Sequence, residues 1–196
     1  MHLGDRPPAA DGTGRYDWPA CRRFVDDLPL VADLRGRRVL DLGCGPGGAG
    51  RAALALGAAS VTFADADPDA LALVRTRLED AAPRATTTRH TWGGPVPGGP
   101  WDVVLCADVL YRPAFFADLL ASVAASLAAD GLALFSDPRT SLESELPALA
   151  QKAGLTWASE RRQAGYTLVR SALIGSPCRT ASRTTIGTTA PAAAIR

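Results

Sequence analysis

Arg38-Val39-Leu40-Asp41-Leu42-Gly43-Cys44-Gly45-Pro46-Gly47-Gly48 decides how the rest of the chain is read. It begins as a short apolar strand, of the kind covered on both faces by other elements. It then passes through a glycine-rich turn into a helix carrying Arg51 to Leu56. Gly43 and Gly45 leave out the Cβ atoms that would hold a ligand away from the backbone. The helix directs its N-terminal amides at the same space. Open α/β sheets place ligands at such turns, so the stretch predicts a nucleotide-type binding site.

Gly43, Gly45 and Gly48 satisfy G-x-G-x-x-G, the dinucleotide fingerprint, which is a weak signal in a chain with 19 glycines. Asp41 argues for a different ligand. A carboxylate at the end of the strand repels a pyrophosphate and attracts a cation. S-adenosylmethionine carries an ammonium and a sulfonium and has no phosphate. The run Val39-Leu40-Asp41-Leu42-Gly43-Cys44-Gly45 resembles motif I of the class I S-adenosylmethionine-dependent methyltransferases. An NAD-dependent enzyme is the alternative that Asp41 opposes, and a binding module without catalysis is another.

At 196 residues, with 47% hydrophobic and 21% charged residues, the chain reads as one globular domain with a full core. A net charge of +1 gives no steering toward nucleic acid or membrane. The tail from Gly175 holds Arg179, Arg183 and Arg196 and no acid, which leaves the rest mildly acidic. No apolar run is long enough to span a bilayer and Met1 opens no signal-peptide pattern, so a cytoplasmic protein is expected. Cys21, Cys44, Cys106 and Cys178 have no metal-ligand spacing, and with His2 and His90 the only histidines, no metal site is expected.

Residues 1–15 read as a flexible arm, 16–174 as the domain and 175–196 as a disordered tail. Asp17 can cap a helix opening at Pro19, with Phe24, Leu28, Val31 and Leu34 at helical spacing and Pro29 breaking or kinking it. Trp18 is either a core-edge residue or a wall of the cofactor pocket. Ser60–Ala64 is the second strand, and Asp65 at its end is placed to accept hydrogen bonds from ribose hydroxyls. Asp67 is read as the cap of a helix over 69–82, with Pro68 at its first position. Ala85–Arg89 is the third strand, and Trp92 beyond it is placed to contact a purine or to cover the sheet end. Trp101–Cys106 is the fourth strand, followed by Ala107, Asp108 and Tyr111. A helix from Pro113 carries Phe116, Leu119, Leu120, Val123 and Leu127, and Ala129-Asp130-Gly131 closes it. Leu132–Phe135 is the fifth strand, Ser136–Arg139 a turn, and Leu142–Ala153 a helix. The stretches 155–159 and 166–173 form a last antiparallel pair. Three carboxylates, Asp41, Asp65 and Asp108, meet at one sheet edge, where they repel one another unless a cation or a donor lies among them.

The alternation predicts a doubly wound, Rossmann-like α/β sheet, mostly parallel with a terminal antiparallel hairpin. From Trp18 to Ile174 this is similar to the class I methyltransferase fold. Trp18-Pro19-Ala20, Thr91-Trp92-Gly93, Ala107-Asp108-Val109-Leu110-Tyr111 and Asp137-Pro138-Arg139 resemble the seven-strand protein lysine methyltransferases. The last resembles the branch acting on the electron-transfer flavoprotein β-subunit. The asparagine-rich segment that family often has after strand two is missing at Val74–Leu78. The resemblance implies S-adenosylmethionine as cofactor, held by Trp18, Asp41, Gly43, Cys44, Gly45, Asp65, Trp92 and Ala107. It implies that Asp108 and Tyr111 orient the acceptor, a lysine of a protein substrate, with a small-molecule N- or O-acceptor as the alternative.

Overall fold

Val39 and Leu40 are successive residues of one strand, point to opposite faces, and are both fully buried. A strand with two apolar faces needs cover on each, and the fold is built from that requirement. The computed structural model describes residues 15–16, 18–78, 83–139 and 145–177. The Asp17 cap, the arm up to Gly14, residues 79–82 of the third expected helix, the first residues of the helix expected from Leu142, and the tail from Cys178 lie outside the described residues.

The described elements run α1 (Pro19–Val31), β1 (Arg38–Leu42), α2 (Gly48–Ala55), β2 (Ser60–Asp65), α3 (Pro68–Arg77), β3 (Ala85–Arg89), β4 (Trp101–Ala107), α4 (Phe116–Ser126), β5 (Leu127–Asp137), α5 (Leu146–Lys152), β6 (Ala158–Arg161) and β7 (Thr167–Ser171). The seven strands order as β3-β2-β1-β4-β5-β7-β6. Neighbours are parallel from β3 to β5, while β7 pairs antiparallel with both β5 and β6. This is the doubly wound, Rossmann-like sheet, mostly parallel with antiparallel C-terminal strands, that the alternation predicts. Phe24 and Leu28 of α1, Ala53 of α2 and Val74 of α3 pack on the face with Val39, Phe63 and Leu105. Leu119 and Val123 of α4 and Leu146 and Ala150 of α5 cover Leu40, Val104 and Phe135 on the other. Among the described residues no helix is long and apolar enough to cross a membrane.

Two local expectations are corrected. Pro29 does not break α1, which continues to Val31. Proline has no N–H to donate and its ring crowds the preceding turn, yet the Ala32 N–H still bonds the Leu28 carbonyl at 3.1 Å, closing the helix beyond it. The segment Leu127–Gly131 is not helical either. Leu127 pairs with Trp101 as the first residue of β5, and the register then shifts so that Val103 faces Leu132. Gly131 serves this irregularity: a Cβ there would stand 2.9 Å from Leu127 Cδ2 and 3.0 Å from the Trp101 carbonyl oxygen.

Strand order reverses between β1 and β4, so their carboxyl ends open a crevice between the diverging crossovers. Residues 41–48, 65–67, 90–92 and 107–111 surround it.

Candidate active site

One cleft lies at that switch point, and every residue singled out in the sequence borders it: the turn residues Gly43, Cys44 and Gly45, the carboxylates Asp41, Asp65 and Asp108, and Trp18, Trp92, Ala107 and Tyr111. The turn is shaped by its backbone. Gly43 has φ +70°, and a Cβ on it would stand 2.7 Å from Val109 Cγ1 and 3.3 Å from Trp92 Cζ2. Glycine is therefore required by the protein's own packing. The Gly43 and Cys44 amides both donate to the Ala64 carbonyl, at 2.8 and 3.1 Å, which ties the turn to β2.

Asp41 follows Val39 onto the α2 side of β1 and is almost fully buried. Its Oδ2 accepts the Gly50 N–H in the first turn of α2 at 2.8 Å. Burial pushes its carboxyl up to about 7; the Gly50 bond and Arg51 act in the opposite direction and Asp65 adds to the rise. The bond bears on ligand choice. A helix N-terminus attracts phosphate through unpaired amides and its partial positive charge. Here an internal carboxylate already occupies that position.

Asp65 likewise serves the turn. Its Oδ2 accepts the Gly45 N–H and its Oδ1 the Asp67 N–H, both at 2.9 Å. Burial raises its pKa against these two bonds. A carboxylate has about four acceptor positions, so lone pairs are left for hydroxyl donors. Asp67 caps α3 by accepting the Asp69 N–H at 2.9 Å. Burial also raises the Cys44 and Cys106 thiols well above their ordinary value, so neither supplies a thiolate nucleophile.

The loop after β3 is held by a device not anticipated from the sequence. Ser122, fully buried on α4, accepts the Gly93 N–H at 2.9 Å and meets His90 Nε2 at 3.2 Å. Ser126, one turn on, accepts the Val96 N–H at 3.1 Å. Two serines four residues apart on an otherwise apolar helix face were the available signal. The loop so pinned presents Trp92, which borders the cleft and packs against the core. His90 also borders the cleft, and burial lowers its pKa, which leaves a neutral ring at pH 7.

Asp108 follows β4 with φ +56°, the left-handed region that few non-glycine residues adopt. Its N–H donates to the Ser136 carbonyl at 2.8 Å, one step beyond the Ala107–Ser136 register. Its Oδ1 lies 3.6 Å from Arg139 Nη2. Burial pushes its carboxyl up to about 6; Asp137 adds to the rise and Arg139 opposes it. The three carboxylates are thus each compensated from within the chain, two by backbone amides and the third by an arginine.

At the opening, Trp18 is 44% exposed and meets Tyr16 edge-on, with ring centroids 6.3 Å apart. Arg15 reaches Asp67 at 3.5 Å and Asp69 at 2.5 Å, so this last residue of the expected arm is tied to α3. Tyr16 borders the cleft and was not among the expected site residues.

Five aspartates border the cleft, and among the described residues lining it there is no lysine or arginine. A pyrophosphate would meet carboxylates and a blocked helix terminus. A ligand with an ammonium, a sulfonium and ribose hydroxyls meets acceptors instead. The residues present therefore fit S-adenosylmethionine. Residues 15–174 match the family model described as a methyltransferase domain. Solved structures share the fold. The pyocyanin biosynthetic protein PhzM is 18% identical with a TM-score of 0.67, over 78% of this chain and 55% of that one. A TehB-like SAM-dependent methyltransferase from Corynebacterium glutamicum is 17% identical with a TM-score of 0.64, over 81% and 89% of the two chains. A methyltransferase dependent on S-adenosylmethionine from Mesorhizobium loti is 20% identical with a TM-score of 0.59, over 82% and 98%. The chain thus spans just over half the length of PhzM. A comparison with curated proteins finds no match. The chain belongs to the methyltransferase-domain family and is an S-adenosylmethionine-dependent methyltransferase.

Proposed function

We propose that this enzyme methylates an amine nitrogen, and that the acceptor is a lysine side chain of a protein. The observation that carries the reading is the acidic cleft, with Asp108 and Tyr111 on its border just past β4. When bound, the cofactor supplies a methyl group whose bonding electrons stay with sulfur as a nucleophile takes the carbon. Asp41 and the Gly43–Gly45 turn would hold its amino acid part, Asp65 its ribose, Trp92 and Trp18 its adenine, and Ala107 would line the reacting end.

Asp108 and Tyr111 then work on the acceptor. The enzyme's main task is to hold the nucleophile aligned at about 3–3.5 Å from the carbon it attacks. The Asp108 carboxylate accepts an N–H of the amine and thereby aims the lone pair. A lysine amine has a pKa of about 10.4 and reacts only when neutral. Partial burial beside Tyr111 favours the neutral amine, whereas the Asp108 charge opposes it, so Asp108 is assigned orientation and not proton removal. Cys44 and Cys106 are buried free thiols, which suits a reducing cytoplasm.

A small-molecule acceptor is the second reading, and the observation that favours it is the likeness to PhzM, a protein of pyocyanin biosynthesis. Incubation with methyl-labelled S-adenosylmethionine and a lysate of the source organism separates the two. Label in protein, located on lysine by mass spectrometry, supports the first. Label confined to small molecules overturns it.

A further inference from the structure

Arg139 does not border the cleft, yet its guanidinium is built into the structure behind Asp108. Nε donates to Asp137 Oδ1 at 2.6 Å, Nη2 donates to Asp137 Oδ2, and the Arg139 backbone N–H donates to Oδ1 at 2.9 Å. Asp137 is fully buried at the end of β5, in register with Thr167 of β7. Thr167 Oγ1 in turn donates to the Arg139 carbonyl at 3.3 Å. A side chain that is 35% exposed is thereby kept from swinging into solvent.

This fixed cation faces a fixed carboxylate. The Asp108 backbone is set by its left-handed φ and its bond to Ser136, so the 3.6 Å between Nη2 and Oδ1 is determined by two supports on adjacent strands. An opposite charge at that distance favours the ionised carboxyl. Burial and the Asp137 charge favour the protonated one. Asp137 and Arg139 are the charges that act on Asp108. The other titratable groups on the cleft are Tyr16 and Cys21 at the N-terminal side, Asp41 on β1, Cys44 in the turn, Asp65 on β2, Asp67 at α3, His90 after β3, and Tyr111 and Asp118 beyond β4. A protonated Asp108 has lost the charge and one of the acceptor oxygens that would orient an amine N–H.

We propose that Arg139 is a positioning residue: gripped by Asp137, it keeps the Asp108 carboxylate ionised and aimed at the acceptor, and so sets the acidic limit of methyl transfer. This rests on the reading of Asp108 as an acceptor-site residue.

The test follows the Asp108 carboxyl directly, by NMR titration of protein labelled with 13C-carboxyl aspartate, with the signal assigned by its loss in Asp108→Asn. Arg139→Gln should move the titration up by at least about one pH unit. Arg139→Lys, which keeps the charge, should recover at least half of that shift. Arg139→Gln orphans a buried carboxylate, so it is also read in an Asp137→Asn background, where it should raise Asp108 relative to Asp137→Asn alone. The acidic limb of label transfer into lysate should move with the titration. An unmoved Asp108, or a lysine variant that behaves as the glutamine one does, overturns the inference and leaves the acceptor reading standing. A wild-type transfer rate in Asp108→Asn overturns both.

Discussion

The Asp41 carboxylate and the Gly50 amide lie 2.8 Å apart, and this bond turns the first turn of α2 toward the protein's own charge. It is what separates this glycine turn from one that cradles phosphate. It also has a consequence for stability. The Asp41 carboxyl ionises near 7 in the folded protein and near its ordinary 3.8 when unfolded. Between those values the folded state holds a proton that the unfolded state has lost, so the stability contributed by this group falls as pH rises from about 4 to about 7. Asp41→Asn keeps an acceptor for Gly50 and removes the titration. Urea unfolding at about pH 4.5 and about pH 7.5 should show the wild type losing more stability than Asp41→Asn over that interval. Parallel pH dependence in the two would contradict the raised pKa.

Gly43 yields a second prediction. Alanine there must keep φ near +70° and place its Cβ 2.7 Å from Val109 Cγ1. The backbone strain alone is worth about 1–3 kcal/mol. Gly43→Ala should therefore lower stability by that order and weaken calorimetric binding of S-adenosylmethionine. Adding Val109→Ala should return only the part due to the clash, leaving the strain. Full recovery in the double variant would show that the left-handed backbone costs nothing here.

Much of this arrangement was legible in the sequence because it depends on local chemistry. Strands in the middle of the sheet are short apolar runs that end at glycine or aspartate, so β1, β2 and β4 are found within a residue or so of their expected limits, and the edge strand β3 is found from its run of β-branched threonines. The carboxyl end of a parallel strand is where a ligand-facing carboxylate must stand, which located Asp41, Asp65 and Asp108. The partners of those carboxylates were hidden. Asp108 meets Arg139 only because β4 and β5 pair with Ala107 against Ser136, and the register of neighbouring strands is not a local property. The same holds for Leu127. Val123 and Leu127 are four apart and continue the helical spacing, but pairing with Trp101 takes Leu127 into the sheet. Ser122 and Ser126 were passed over because a buried serine shows its use only when the amides of a distant loop arrive.

Asp65 is the third test case, since both its oxygens hold backbone amides of the turn. Loss of the carboxylate leaves two partly buried N–H groups without their partner, each worth about 1–3 kcal/mol. Asp65→Ala should weaken cofactor binding at least about tenfold, which corresponds to about 1.4 kcal/mol. It should also speed hydrogen exchange at the Gly45 and Asp67 amides. Weakened binding with unchanged exchange would assign Asp65 to the ribose alone.

Asp108 carries the last prediction, because its loss tells whether it serves the acceptor or the cofactor. It stands just beyond β4, on the border of the cleft with Tyr111, and its only described ion pair comes from Arg139 behind it. If it aims the acceptor, its loss damages alignment and leaves cofactor binding intact. Asp108→Ala should lower single-turnover methyl transfer by at least about 100-fold, the scale of lost positioning. The calorimetric affinity for S-adenosylmethionine should change by less than about 1 kcal/mol. Removing the side chain also relieves Asp137 of a like charge, so folding should not suffer from electrostatics, although alanine tolerates the left-handed φ less well than aspartate. Asp108→Asn keeps the backbone preference and the shape while removing the charge, and it should reproduce most of the loss. Equal losses of affinity and turnover would move Asp108 into the cofactor site. The pH profile gives an independent reading, because a carboxyl ionising near 6 makes transfer decline as pH falls through that value, and the asparagine variant should lack that decline.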